Sequence, residues 1–134
     1  SNGSPAMLAS AVASAGIGDR LEAVLSVDAV STFKTSPRTY GLVLAAFSLR
    51  PEEVAFVSSN RWDVAGAAAF GFRPVWVNRA RQPDEYPGLE PLLVIDDLGA
   101  LAQRDERSSL AARTRAEPGT LPALIAPVRS FFSG

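Results

Sequence analysis

Apolar positions along this chain alternate between runs with helical spacing and short continuous runs. Ser4-Pro5 reads as a helix N-cap followed by a residue suited to the first helical position, and Met7, Leu8, Val12 and Ala15 follow before Gly16 closes the run. Ala23–Val27 is short and mostly apolar, as a buried strand would be. Ser36-Pro37 opens a second predicted helix carrying Tyr40, Leu42, Val43, Leu44 and Phe47. Val54–Val57 predicts a second strand, running into Ser58-Ser59-Asn60. Asp63–Phe70 predicts a helix of small residues, able to approach a sheet closely and ended by Gly71. Val75–Val77 and Leu92–Ile95 predict two more strands, with Asp96-Asp97 starting a last helix through Leu98 and Leu101. Strands alternating with helices of about ten residues predict repeated βα units, an α/β fold with a Rossmann-like parallel sheet and flanking helices.

Ser1-Asn2-Gly3 reads as a loop leading out of a strand that is itself absent from the sequence. After Arg107 the texture changes. Residues 1–107 are expected to form the core domain, and 108–134, rich in Ala, Pro, Ser and Arg, a partly disordered C-terminal extension. Its apolar positions Leu124, Ile125, Val128, Phe131 and Phe132 would dock on the domain or on a partner.

Composition narrows the chemistry. The 134 residues fit one domain at most, and a net charge of −1 gives no reason to expect nucleic acid or an anionic membrane as partner. No apolar stretch approaches the roughly 20 residues of a membrane span. The chain has no cysteine and no histidine, which removes a thiolate nucleophile, a cysteine zinc site, a Ser-His-Asp triad and a histidine base. Acid–base work therefore falls to carboxylates, hydroxyls or Lys34. Lys34 is the single lysine beside twelve arginines. It is either a chance surface residue or a position that needs a compact charge with a tunable pKa.

In open parallel sheets, ligands bind beyond the carboxyl ends of the strands. Three polar clusters fall there: Ser1-Asn2, Lys34 after Ala23–Val27, and Ser58, Ser59, Asn60 and Asp63 after Val54–Val57. Each alone has an ordinary structural reading, since Ser and Asn cap helices and Asp63 suits a helix N-terminus. Together they would converge on one edge of the sheet.

The order of these clusters resembles motifs two, three and four of the haloacid dehalogenase superfamily, and most closely its (S)-2-haloacid dehalogenases. The resemblance rests on SNGSPAML (1–8), LSVDAVSTFK (25–34), PRTY (37–40), FVSSNRWDVAGAAAFGF (56–72) and VWVNR (75–79), and covers roughly residues 1–103. Phosphatases of the superfamily carry an acidic pair for Mg²⁺ where this sequence has Ser59 and Asp63. The resemblance therefore implies a hydrolase without cofactor or metal: a carboxylate displaces halide from C2 of a short 2-haloalkanoate, and water hydrolyses the resulting ester. Ser1 and Asn2 would bind the substrate carboxylate, with Asn2 also near the halide. Lys34 would hold the nucleophilic carboxylate ionised, and Ser58 would fix that lysine. Asn60 and Asp63 would position and deprotonate the water. Tyr40 would support the site by hydrogen bonding, and Trp62 would line an apolar wall; core packing is the competing reading for both. A cytoplasmic location and a homodimer are expected on the same ground.

Two departures from the family pattern stand out. Lys34 is followed by Thr35-Ser36 where the family commonly has Pro-Asp. The family's first strand-loop, with its nucleophilic aspartate, and its helical cap have no counterpart here, so the chain resembles the C-terminal half of such an enzyme and would need the N-terminal half as partner. The competing readings are a non-catalytic module whose site residues are relics and, against Ser59, a phosphatase.

Overall fold

Ser4 opens the first helix, α1 (Pro5–Ala15), its Oγ accepting from Met7 N, and Gly16 ends it in the left-handed conformation at φ 62°. The computed structural model describes residues 1–103 and 132–133. Within them follow α2 (Pro37–Phe47), β1 (Ala55–Ser58), α3 (Arg61–Phe70), β2 (Arg73–Val77), β3 (Leu93–Ile95) and β4 (Phe132–Ser133), with short 3₁₀ turns at Gly18–Arg20, Val27–Val30 and Pro51–Glu53. The predicted helices and the strands near 54, 75 and 92 are found within one or two residues of expectation. α3 starts two residues before Asp63, and residues 99–103 are helical, with Asp97 Oδ1 accepting from Ala100 N at 3.1 Å.

All strands are parallel, in the order β3-β2-β1-β4. Val57 and Ser58 pair with Phe132 and Ser133 on one edge of β1, and Ala55 to Ser58 pair with Arg73 to Trp76 on the other. The β1–α3–β2 unit puts the amino end of α3 at the carboxyl end of β1. Alternation along the strands splits the core into two layers. Phe56 packs with Tyr40, Val43, Ala67 and Phe72 under α2 and α3, whereas Val57, Val75, Val77 and Ile95 pack with Leu98 and Leu101. Tyr40, Phe56, Phe70 and Phe72 form an aromatic cluster with ring centroids 5.0–5.9 Å apart.

One expectation fails. Ala23–Val27 is not a strand: residues 21–26 are irregular and Val27 begins a 3₁₀ turn. A strand exists only where a neighbour completes its ladder. Here no strand lies beside the segment among the described residues: its backbone is held by the opening of the chain, through Ser1 N to Leu25 O at 2.6 Å and Val27 N to Ser1 O at 3.0 Å, while Leu25 packs on the core cluster. No residue of α1 is buried; Leu8, Ala11, Val12 and Ala15 instead border an apolar cavity of about 390 Å³, shared with Leu25, Leu42, Val43 and Phe56. The expected extension at 108–134 lies outside the described residues apart from β4.

Candidate active site

The opening residues and the lysine loop hold each other. Ser26 Oγ donates to Gly3 O at 2.8 Å, and Asn2 Oδ1 accepts from Lys34 N at 3.0 Å. The Lys34 side chain turns inward until it is 7% exposed, and its Nζ donates to Asp63 Oδ2 at 2.8 Å, 5.4 Å from the centre of the Phe56 ring.

Asp63 comes from the first turn of α3, where the helix dipole favours an anion, and its side chain is fully buried. A carboxylate so placed is tolerable only if its oxygens are hydrogen-bonded and its charge is balanced. Tyr40 Oη donates to Oδ1 at 2.9 Å and lies 3.2 Å from the Asp63 carbonyl oxygen, while Ser58 Oγ donates to Oδ2 at 3.3 Å. Asn60 N in turn donates to Ser58 Oγ at 3.1 Å, tying the turn after β1 to the same cluster. Burial first, and then the neighbouring Asp63 charge, push the Tyr40 phenol well above its ordinary pKa of 10, so Tyr40 stays a donor. Gly66 makes the approach possible: a Cβ there would come within 2.5 Å of Tyr40 Oη and 2.7 Å of Thr35 Cγ2.

Asp63 is thus an oriented, charge-balanced carboxylate at the carboxyl edge of a parallel sheet, suited to accept a proton from a water or to hold a cation in place. That cation is already the Lys34 ammonium. Mg²⁺ takes several oxygen ligands, usually carboxylates with substrate phosphate. Asp63 engaged by an ammonium, with Ser59 in place of a second acid, does not fit it, and among the described residues no three acidic side chains group together.

Six of the eight residues singled out from the sequence therefore meet: Ser1, Asn2, Lys34, Tyr40, Ser58 and Asp63, with Ser1, Lys34 and Tyr40 on one wall of the large apolar cavity. Asn60 joins through its backbone. Asn60 and Trp62, the latter 41% exposed, also border a further cavity of about 280 Å³ beside residues 76–85. Two residues escaped the sequence reading. Arg61 is buried between Trp76 and Tyr86, and Thr39 is buried against the large cavity with its Oγ1 unpartnered. The small helix spacing hinted at Gly66, but nothing local marked Arg61, whose partners lie 23 to 28 residues away.

The family model for a haloacid dehalogenase-like hydrolase matches residues 1–71. This chain belongs to the haloacid dehalogenase-like hydrolases. Over 86 residues, 64% of this haloacid dehalogenase-like chain and 38% of the relative, it is 43% identical to (S)-2-haloacid dehalogenase 1 of Pseudomonas sp. strain CBS-3. The structure of the L-2-haloacid dehalogenase RSc1362 superposes with a TM-score of 0.75 at 42% identity, covering 78% of this chain and 46% of that one. The Xanthobacter autotrophicus L-2-haloacid dehalogenase with chloropropionic acid covalently bound superposes at 0.70 and 36% identity, covering 78% and 52%. The chain spans about a third to a half of the length of the curated relatives it matches.

Proposed function

We propose that this chain is the substrate-binding and water-activating part of a metal-independent 2-haloacid dehalogenase, with the nucleophilic aspartate on an N-terminal half that packs against the large apolar cavity. The observation that carries the reading is the buried Lys34–Asp63 pair, clamped by Tyr40 and Ser58 beside the Ser1-Asn2 opening. A buried ion pair contributes little to stability compared with apolar packing, so one clamped by two further side chains calls for a chemical role. The covalently bound chloropropionic acid in the Xanthobacter relative supports a covalent route, which we write here as an ester.

The steps follow from side-chain chemistry. Ser1 and Asn2 bind the carboxylate of a short 2-haloalkanoate. An aspartate oxygen from the other half attacks C2, the carbon–halogen bond breaks, and halide leaves with its electron pair. Lys34 keeps that aspartate ionised and turned toward C2. Asn60 orients a water and Asp63 takes its proton as the water attacks the ester carbonyl. The acyl–oxygen bond then breaks, the proton passes to the departing alkoxide oxygen, and the 2-hydroxy acid and the free aspartate result, with such general-base help worth roughly 10²–10⁴ in rate. Trp62 and the apolar wall keep bulk water away. A cytoplasmic, dimeric enzyme is the expected setting.

The test begins with the intact mass of the denatured sample. At 14.1 kDa with nothing beside it, the chain should release no chloride from 2-chloropropionate. Chloride release by that species alone would overturn the assignment of the nucleophile to another half. Joined to an N-terminal half carrying the aspartate, the chain should release chloride stoichiometrically with 2-hydroxypropionate. Failure of the joined protein would favour the reading in which the site residues are relics of a non-catalytic module.

A further inference from the structure

Arg61 occupies a place the proposed chemistry does not use. It is the first residue of α3, beside Asn60 and Trp62, yet its side chain points away from Asp63 into a polar bracket. Nε donates to Asp84 Oδ1 at 2.7 Å, and Nη2 donates to the carbonyls of Tyr86 at 3.2 Å and Leu89 at 2.9 Å. The side chain is 8% exposed, and its guanidinium carbon lies 5.6 Å from the Trp76 ring centre and 5.1 Å from that of Tyr86. Trp76 Nε1 in turn donates to Ser59 O at 3.3 Å. Asn78 closes the other end of the bracket, giving Nδ2 to Gln82 O and taking Gln82 N on Oδ1. Residues 79–90 contain no helix or strand; Arg61 holds them from α3 and Asn78 from the end of β2, with an exposed Arg81–Asp96 pair at 4.0 Å beside them. Held this way, Gln82, Pro83 and Glu85 wall the 280 Å³ cavity that Asn60 and Trp62 border on its other side.

We infer that Arg61 is a positioning residue: it clasps residues 84–89 to the first turn of α3, and the wall so fixed limits how large a 2-haloalkanoate the site admits. The clasp rests on geometry alone; the size limit rests on the dehalogenase reading. A flat fork with donors on two edges fits one carboxylate and two carbonyls together, which a lysine cannot reproduce.

The test uses Arg61→Met, Arg61→Lys and Asp84→Asn. Amide hydrogen exchange on the 134-residue chain reads the clasp without turnover. Exchange across 79–90 should rise about tenfold or more in Arg61→Met and Arg61→Lys, and less in Asp84→Asn, while 55–58 and 64–70 stay protected. Unchanged exchange at 79–90 in all three variants overturns the clasp. In the protein joined to its nucleophile-bearing half, KM for 2-chlorohexanoate relative to 2-chloropropionate should fall about threefold or more in Arg61→Met, with kcat on 2-chloropropionate held within about twofold. A constant KM ratio despite faster exchange overturns the size limit. A wild-type protein that turns over neither substrate refutes the dehalogenase reading instead, and the exchange result still decides the clasp. Should Arg61→Met fail to fold, Asp84→Asn carries both measurements, because it leaves the carbonyl contacts of Arg61 in place.

Discussion

At the scale of single residues, the Lys34–Asp63 pair decides most of what mutation will do. Lys34→Ala leaves a buried carboxylate without its cation, and removing one partner of such a pair costs about 3–5 kcal/mol. Urea unfolding should report that loss together with loss of chloride release in the joined protein. Lys34→Arg keeps the charge but not the compact ammonium and should also abolish turnover, since a guanidinium fork does not fit the space between Asp63 and Phe56. Tyr40 gives a cleaner optical handle. Its phenol pKa is raised above the unfolded value of 10, so the native state keeps a proton that the unfolded chain loses. That contribution is complete below 10 and fades as pH rises past it. Absorbance at the phenolate band should therefore be the same in wild type and Tyr40→Phe up to about pH 11 while the protein stays folded. An extra phenolate step in the wild type near its ordinary pKa would refute the buried hydrogen bond to Asp63.

At the scale of elements, α3 is held at both ends and in its middle. Gly71 ends it at φ 99°, and Gly66 lets it lie against Tyr40 and Thr35. Gly66→Ala forces those neighbours apart and should cost about 1–3 kcal/mol, part of which Tyr40→Phe relieves by removing the hydroxyl the new methyl meets. A double-mutant cycle with no coupling between the two would show that the helix gives way elsewhere. The loop beside α3 carries its own pH dependence. The Asp84 carboxyl is held below 3.8, first by the Tyr86 backbone N–H and, against partial desolvation, by the Arg61 guanidinium. Its contribution is present above 3.8 and is lost as pH falls through the lower native value, so protection of 79–90 relative to the intrinsic exchange rate should fall at acid pH before that of the sheet. What the sequence made legible here was local. Ser4-Pro5, Ser36-Pro37, Gly16 and Gly71 mark helix ends through chemistry within a turn of the residue. Ala23–Val27 misled because strand formation depends on a partner that no local pattern supplies. Arg61 was illegible for the same reason in reverse: its three partners are remote in sequence and two are carbonyls, which every residue has.

At the scale of the whole molecule, packing is uneven. β1, β2 and α3 bury most of their apolar side chains in two core clusters, whereas no residue of α1 is fully buried and the helix borders a cavity of about 390 Å³. Truncations should read out that asymmetry. Phe72→Ala, in the closed layer, should cost about 3–5 kcal/mol, while Leu8→Ala, on the cavity wall, should cost less than about 1 kcal/mol because it opens no new void. Once the proposed N-terminal half fills the cavity, Leu8→Ala should become the more costly by a further kcal/mol or more, about the worth of the added burial. Of the convergence, the part that a strand end explains is Ser58 and Asp63 after β1; Lys34 and Ser1-Asn2 reach the same edge without a strand of their own among the described residues. That Asn2 would hold the lysine loop by its backbone was not, since side-chain direction across 32 residues has no sequence signature.

The seclusion of Lys34 reaches past catalysis. This chain carries one lysine, and folding leaves its side chain 7% exposed and paired with Asp63. This chain therefore offers its one side-chain amine to acetylation, glycation or amine-directed cross-linking only after the Asp63 pair opens, and such an adduct on Lys34 should report that opening.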